Sequence, residues 1–459
     1  MRGLELRAQR QIARPRASVL EPIDDGYSRR AAVVIVSAVF AIMIALHVGL
    51  WQLVAWDDDV GLVRTLLPYA WVVALPSALI GLTGLFLGRP RDTSWRHPMP
   101  DLEVSFRIVT RGQNADALRA TVDNVRDEMA RRPRFRYRIE VVTDQPVELP
   151  WAADLYQIVV PNGYQTPRRT LFKARALQYA LGMSSLEPGD WIMHLDEESH
   201  ITGSAVEGIA RAIREEEASG EHRIGQGAIL YHRDLERNKL LTLADMIRTG
   251  DDVGRFRMQH RFGQTLFGLH GSFILVRNSV EREVGFDFGP LGSITEDAMW
   301  ALLQMDRGRR SRWVDGYVAE QPPRSILDFL RQRRRWFVGL VLIALGGPVR
   351  WRFRASLAAL VGLWSVSWIG VTLCWVNLAL AVPSPFWVAL LADLALAYHV
   401  ALYLIGLRIN LRASGRSGLS TVGLYLQQAL LIPVFSVLEA AAVAYGTFRP
   451  DTGFHVVRK

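Results

Sequence analysis

"WIMHLDEES", residues 191–199, decides how the chain is read. Trp191, Ile192 and Met193 open a short apolar run, and three consecutive acids, Asp196, Glu197 and Glu198, stand where it ends. A buried strand tolerates no carboxylate without a partner, so the acids mark a strand end and a loop beyond it. Similar runs precede it: "VSFRIVT" (104–110), "YRIEVVT" (137–143) and "YQIVV" (156–160) read as strands. After the first, Asn114 stands in an N-cap position, and Leu118, Val122, Val125 and Met129 recur at spacings of four, three and four, the stripe of an amphipathic helix. A second helix is predicted over about 170–181. This alternation predicts an α/β fold, with a Rossmann-like, mostly parallel sheet covered by helices on both faces. Ligands in such sheets bind beyond the carboxyl ends of the strands. Asp144 directly follows one strand end there, and Asp196 and Glu198 directly follow another.

The flanks set this domain beside a membrane. The 459 residues exceed one compact core, and they are half hydrophobic yet 22% charged, a mixture that suits apolar spans joined to a water-exposed domain. Runs nearly free of charge lie early, at 31–56 and 65–87, and late, at 355–382, 384–407 and 420–445. Each meets or exceeds the roughly 20 residues that a helix needs to cross a bilayer core. Asp393, His399 and Glu439 interrupt the last two, and the acids Asp393 and Glu439 read either as partners between helices or as the lining of an acceptor groove or glycan exit. The first run is longer than a signal-peptide core, so it reads as a retained span. Arg2, Arg7, Arg10, Arg14, Arg16, Arg29 and Arg30 precede it and Asp57, Asp58 and Asp59 follow it, so the positive-inside rule puts the middle domain in the cytosol. Arg350, Arg352, Arg354, Arg408, Arg412 and Arg416 fall on the same side, whereas Arg449, Arg458 and Lys459 fall on the other.

The expected organisation is therefore a multi-pass protein of the cell membrane. A basic segment (1–30) leads to two transmembrane helices (31–88), a cytosolic domain (89–323), an amphipathic interfacial helix (324–347), about three transmembrane helices (355–446) and a tail (447–459). The net charge of +9 is concentrated beside the spans, where anionic lipid headgroups attract it, so membrane lipids rather than nucleic acid are the expected partner. A single cysteine, Cys374, excludes an intramolecular disulfide and a multi-cysteine metal site.

Chemistry enters through the spacing of charged residues. Carboxylates one and three positions past a strand end, as in Asp196 and Glu198, can converge on a hard divalent cation that would hold a diphosphate. The plainer alternative is a pair of solvated loop acids, with Ser199 capping the helix after 202. In "LFKARALQYAL" (171–181), Lys173 and Arg175 stand in a first helical turn, where free amides already favour phosphate. "GSITEDAMWALL" (292–303) places Glu296 and Asp297 at another helix start, where acids are also ordinary first-turn residues. "RQRRRWFVGL" (331–340) supplies Gln332, Arg335 and Trp336. Arginine grips phosphate oxygens with two donors and an indole stacks on a sugar ring. The alternative is a membrane-surface helix with Ile326, Leu327, Phe329 and Leu330 in lipid and the arginines at headgroups. His194, His200 and His270 lie near this constellation and read as structural residues outside any metal shell.

The order of these motifs is more specific than any one of them. "TDQP" (143–146), "KARAL" (173–177), "DEE" (196–198), "TED" (295–297) and "QRRRW" (332–336) resemble the successive motifs of the membrane-bound, inverting family 2 glycosyltransferases. "VTRG" (109–112), "EVVTD" (140–144), "HLDEES" and "FDFGPLGSITED" (286–297) look most like the Egghead-type β-1,4-mannosyltransferases. The resemblance spans about 104–340, with transmembrane flanks on both sides. It implies a GT-A fold, a nucleotide-sugar donor, GDP-mannose by preference, and a glycan or lipid-linked acceptor. It further implies that Thr110, Asp144, Lys173 and Asp196 bind the donor and that Asp196 and Glu198 hold Mg²⁺ or Mn²⁺. Glu198 departs from the wider family, where an Asp is common. Asp297 would be the general base with Glu296 in support, and Gln332, Arg335 and Trp336 would shape the acceptor and diphosphate end. A processive synthase extruding a polymer and a catalytically silent membrane scaffold are the competing readings.

Overall fold

The computed structural model describes residues 23, 26–53, 67–87, 97–150, 152–380 and 385–453. The arginines at 2–16, Asp57, Asp58, Asp59, Arg458 and Lys459 lie outside them. Helix α1 (Arg29–Leu53) is followed by a 3-10 stretch (Leu67–Ala74) that runs into α2 (Leu75–Phe86). The second early apolar run is thus a short broken helix among the described residues. The sheet then begins with β1 (Glu103–Thr110), α3 (Ala115–Arg131), β2 (Arg136–Thr143), β3 (Leu155–Val159), α4 (Phe172–Met183), β4 (Trp191–Asp196) and β5 (His200–Ile201). It continues through α5 (Gly203–Ser219), β6 (Ile224–Leu230), α6 (Lys239–Asp251), α7 (Arg257–Arg261), β7 (Ile274–Arg277), α8 (Asn278–Val284), α9 (Glu296–Asp306) and β8 (Ser311–Ala319). Helices α10 (Ile326–Gly346), α11 (Trp351–Ser365), α12 (Ser367–Leu380), α13 (Phe386–Ala413) and α14 (Leu419–Phe448) follow.

All eight strands join one sheet in the order β3-β2-β1-β4-β7-β6-β8-β5. The pairs β1/β2, β1/β4, β2/β3 and β6/β8 are parallel, and β7 and β5 enter antiparallel. Alternation along the strands sorts side chains to the two faces. Val104, Phe106 and Ile108 pack with Leu118, Val122, Val125 and Met129 of α3 and with α5. The stripe read from the sequence is therefore the buried face of α3, and each of its four side chains contributes about 1.5–3 kcal/mol by leaving water. Val109, Val142 and Ile192 face the other way, onto α4 and α9. That second core runs on without a break into Phe337 and Ile343 of α10, Leu357 of α11 and Val443 of α14.

The sheet interior also carries charge. Arg107, fully buried, donates to Glu140 at 2.8 Å and to Glu281 at 2.6 Å, and His194 Nε2 lies 2.6 Å from Glu281. The histidine that precedes the strand-end acids thus serves the core.

Among the described residues, four helical segments are long and apolar enough to cross a membrane: Arg29–Gly49, Trp351–Leu373, Phe386–Ala413 and Leu419–Phe448. The chain is a membrane protein. Helix α10 is only partly the surface helix expected. Ile326 and Leu327 are exposed, but Phe329 is fully buried, and Arg333 and Arg334 pair with acids instead of facing headgroups.

Helix α6 meets α13 through glycines. A Cβ on Gly406 would lie 1.9 Å from the Met246 carbonyl oxygen, and one on Gly250 2.2 Å from that of Leu402. Both obstacles are helix backbone, which cannot swing aside, so only glycine allows this approach. Asn410 locks the same joint: its Oδ1 accepts from Tyr231 N at 2.6 Å and its Nδ2 donates to Thr249 Oγ1 at 3.1 Å. Gly406→Val is expected to force α6 and α13 apart and to cost about 1–3 kcal/mol, read as a lower melting temperature of the detergent-purified protein. An unchanged melting temperature would contradict this account of the joint.

Candidate active site

The register of the parallel strands brings the sequence-distant residues to one edge. Val109 pairs with Asp196 and Thr110 with Thr143, so Thr110, Asp144 and Asp196 all sit at carboxyl ends of adjacent strands. Strand β1 is also where the chain order turns, with β2 and β3 on one side and β4 on the other. A crevice opens at such a switch point.

Helix α4 delivers the cation. Phe172 takes φ 55°, an uncommon conformation for a bulky side chain, at the turn into the helix. Lys173 follows, with Nζ 2.6 Å from Asp196 Oδ1 and 3.5 Å from Glu296 Oε1, and it donates to the Gly271 carbonyl at 3.2 Å. A Cβ built on Gly271 would stand 3.3 Å from Lys173 Nζ, 3.4 Å from Asp297 Oδ2 and 3.5 Å from Asp196 Oδ2. The lysine and the two aspartates therefore surround one bare backbone position.

Their electrostatics follow from this crowding. Burial alone would lower the Lys173 pKa, but the neighbouring carboxylates, Asp196 first, outweigh it and hold the ammonium form firmly. Burial pushes Glu296 up to about 7, against the pull of Lys173 and with the help of Asp297. Burial raises Asp297 as well, with Lys173 opposing. Burial likewise lowers Arg335, although Glu296, Asp196 and Asp297 act against it.

The remaining predicted residues sit around this centre. Asp144 accepts from Arg175 at 2.5 Å, so the second cation of the α4 turn is tied to the second strand end. Thr110 Oγ1 donates to Glu197, the middle acid, which had no assigned role. Glu198 is buried, and its carbonyl accepts from Arg233 at 2.8 Å. Gln332 is buried beside Arg333, and the Trp336 ring lies under the guanidinium groups of Arg248 and Arg333, at 4.6 and 4.5 Å. Thr110, Asp144, Lys173, Asp196, Glu198, Glu296, Asp297, Gln332, Arg335 and Trp336 all line one cavity of about 1680 Å³. It continues past the acids between the membrane helices, to Trp364, His399 and Ser436.

Ser199 is not the helix cap: Thr202 Oγ1 accepts from Ala205 N at 3.3 Å and starts α5. Ser199 Oγ instead accepts from Asp196 N and donates to Glu320, both at 3.2 Å. Glu320, buried and also bonded by Ser272, went unnoticed, although as the first residue after β8 it carries the same strand-end signal as Asp144. Gly271 left no signal in the sequence. The histidines have partners of their own, His200 with Arg233 and His270 with Asp252. Glu439 pairs with Arg333 at 2.8 Å, as the interhelical reading expects, and it also lines the cavity. Asp393 lies 3.7 Å from His47 of α1.

A model described as glycosyl transferase family group 2 matches residues 191–406. The β-1,4-mannosyltransferase bre-3 of Caenorhabditis elegans is 32% identical over 405 residues, covering 86% of this chain and 87% of that protein. The β-1,4-mannosyltransferase egh of Drosophila melanogaster is 33% identical over the same shares. The chain belongs to the family 2 glycosyltransferases. Among solved structures, the mannosyltransferase PcManGT from Pyrobaculum calidifontis, in complex with GDP-Man and Mn²⁺, is similar at 15% identity and a TM-score of 0.47, covering 91% of this chain and 100% of that one. The glycosyltransferase has the expected α/β GT-A architecture, and its strand-end acids line a cavity that membrane helices help to build.

The bare position at Gly271 gives a direct test. Gly271→Ala adds a carbon at ordinary contact distance from the two aspartates and slightly tight, at 3.3 Å, against Lys173 Nζ, and is expected to keep most activity. Gly271→Val fills the space between Asp196 and Asp297 and is expected to lower sugar transfer about 10²-fold, the scale of a small misplacement of reacting groups. Steady-state rates of the two variants, with melting temperatures as a control for folding, check this.

Proposed function

We propose that the enzyme moves one mannosyl residue from GDP-mannose, with inversion, onto a hydroxyl of a lipid-linked acceptor held at the membrane. The observation that carries this reading is the continuity of the cavity, which passes from the acids at the strand ends into the apolar helix bundle. A water-soluble glycan acceptor has no need of an apolar extension. A lipid-linked one can enter from the bilayer and bring its hydroxyl to the acids. The β-1,4-mannosyltransferase relatives support mannose as the sugar and β as the linkage.

In this reading Asp297 takes the proton of the acceptor hydroxyl as that oxygen bonds to the anomeric carbon. The bond from that carbon to the diphosphate oxygen breaks on the opposite face, and the nucleoside diphosphate leaves. The raised pKa of Asp297 favours proton uptake over that of an ordinary aspartate. Glu296 supports it and shares Lys173. Lys173 contacts the diphosphate, Thr110 and Asp144 face the nucleoside end of the donor, and Gln332, Arg335 and Trp336 shape the acceptor and diphosphate end.

The residues at the β4 end fit a divalent cation by the chemistry of their donors. Asp196 and Glu198 offer hard carboxylate oxygens, which suit Mg²⁺ or Mn²⁺. Among the described residues no group of three His, Cys, Asp or Glu side chains forms a ready cage, so the diphosphate would supply further oxygens, as is usual for Mg²⁺. When bound, such an ion offsets charge developing on the leaving diphosphate.

The arginine asymmetry around the spans supports a cytosolic catalytic domain at residues 89–323, in a multi-pass protein of the cell membrane. Nucleotide sugars are present on that side. Lipid headgroups would meet the basic residues that flank the spans.

Asp297→Asn is expected to lower transfer by about 10² to 10⁴-fold, the usual weight of general base catalysis, while GDP binding by calorimetry persists. Chelation of divalent ions should abolish transfer, with recovery on adding Mn²⁺ or Mg²⁺. Labelled donor should yield a product extended by a single sugar; a ladder of products would instead support the processive reading, and normal turnover by Asp297→Asn would remove the assigned base.

A further inference from the structure

We propose that His399, Ser436 and Glu439 form a subsite that binds the hydroxyl groups of the acceptor where the cavity passes between the membrane helices. The inference rests on the lipid-linked acceptor reading above.

Polar side chains inside apolar spans are costly and face either a partner helix or a path. Here one helical turn on α14 carries two of them, Ser436 and Glu439, at a spacing that places both on one side of the helix. His399 of α13 stands opposite, with Nε2 3.2 Å from Ser436 Oγ. All three line the cavity that also holds Asp297, among apolar neighbours such as Leu396 and Ile432.

Bonds between helices account for only part of this group. Ser436 Oγ donates to the Ile432 carbonyl at 3.0 Å, which leaves it an acceptor towards His399. Glu439 gives one oxygen to Arg333, whose guanidinium also serves Asp245. The other oxygen, Oε2, takes no hydrogen bond from any described residue, although Glu439 is only about a quarter exposed. That oxygen keeps some exposure, and a carboxylate on the cavity wall can accept from a hydroxyl of a bound ligand.

The chemistry of that donor follows from the charges. Arg333 already balances Glu439, so a neutral hydroxyl completes the site without a further counter-charge. A phosphate would bring its negative charge against the carboxylate. The set of carboxylate, imidazole and hydroxyl, in a cavity that Gln332, Trp336 and Trp364 also line, suits a polyhydroxylated ring.

The test uses the full chain in detergent micelles with labelled GDP-mannose and two probe acceptors, a dodecyl glycoside panel and dodecyl phosphate. Glu439→Gln is expected to raise the KM for the glycoside about tenfold, the loss of one hydrogen bond to a charged group, and to raise the KM for donor by clearly less, since the donor feels this variant only through Arg333. Ser436→Ala leaves the Arg333 network intact and should raise the glycoside KM about threefold, as for a neutral hydrogen bond. Unchanged glycoside KM in both variants, or equal changes in donor and acceptor KM, would overturn the subsite. Preference for dodecyl phosphate over every glycoside would overturn the neutral-hydroxyl assignment. Wild-type protein that cleaves the donor but modifies no lipid probe would instead overturn the acceptor reading beneath it.

Discussion

A single ammonium group holds the carboxylates of the candidate site together. Asp196, Glu296 and Asp297 come from two elements far apart in the chain, and Lys173 is the cation that stands among them. Two like charges about 4 Å apart repel by about 4 kcal/mol at the effective dielectric of a partly buried site. Gathering three carboxylates without a counter-charge would therefore work against the fold. The lysine relieves that repulsion and also explains why Glu296 and Asp297 can be raised by burial without the helix start moving into solvent. Its position depends on the turn at Phe172, where the backbone leaves its usual range just before the helix begins.

The second constraint is mechanical. The sheet and the membrane helices share one uninterrupted core on the α9 side, and α6 rests on α13 at backbone contact distance on the other. A catalytic domain merely tethered to spans could not keep a cavity continuous across that boundary. Here Arg248 of α6 reaches the Trp336 ring of α10, and Asp245 of the same helix binds Arg333. The π turn that follows α6, Asp252–Phe256, keeps Arg255 and Phe256 on the cavity wall. Local irregularity of this kind is common where a helix must serve a site rather than its own regularity.

Much of this was legible in the sequence, and the reasons are specific. The strand ends were visible because acids follow apolar runs, and parallel pairing then brings such ends to one edge. The α3 stripe was visible because its period is that of a helix. The antiparallel entry of β7 and β5 was not, since antiparallel strands here carry no hairpin signal and β5 is only two residues long. Gly271 was invisible for a different reason: its value lies in what surrounds an absent side chain. Arg333 was legible as a charge but not as a buried one, because both of its acids, Asp245 and Glu439, are more than 80 positions away.

That last pair clarifies why the Gln-x-x-Arg-Trp spacing works. On a helix, residues 332, 335 and 336 lie on one side, at offsets of three and four, while 333 points about 100° away. Arg333 is gripped by Asp245 from α6 and Glu439 from α14. Two fixed partners on two different elements define the rotation of α10 about its own axis, and with it the direction in which Gln332, Arg335 and Trp336 face. The arginine that does not carry the motif thus aims the residues that do. Because one of its partners belongs to a membrane helix, the orientation of this stretch of the cavity wall is set jointly by the sheet domain and by the bundle.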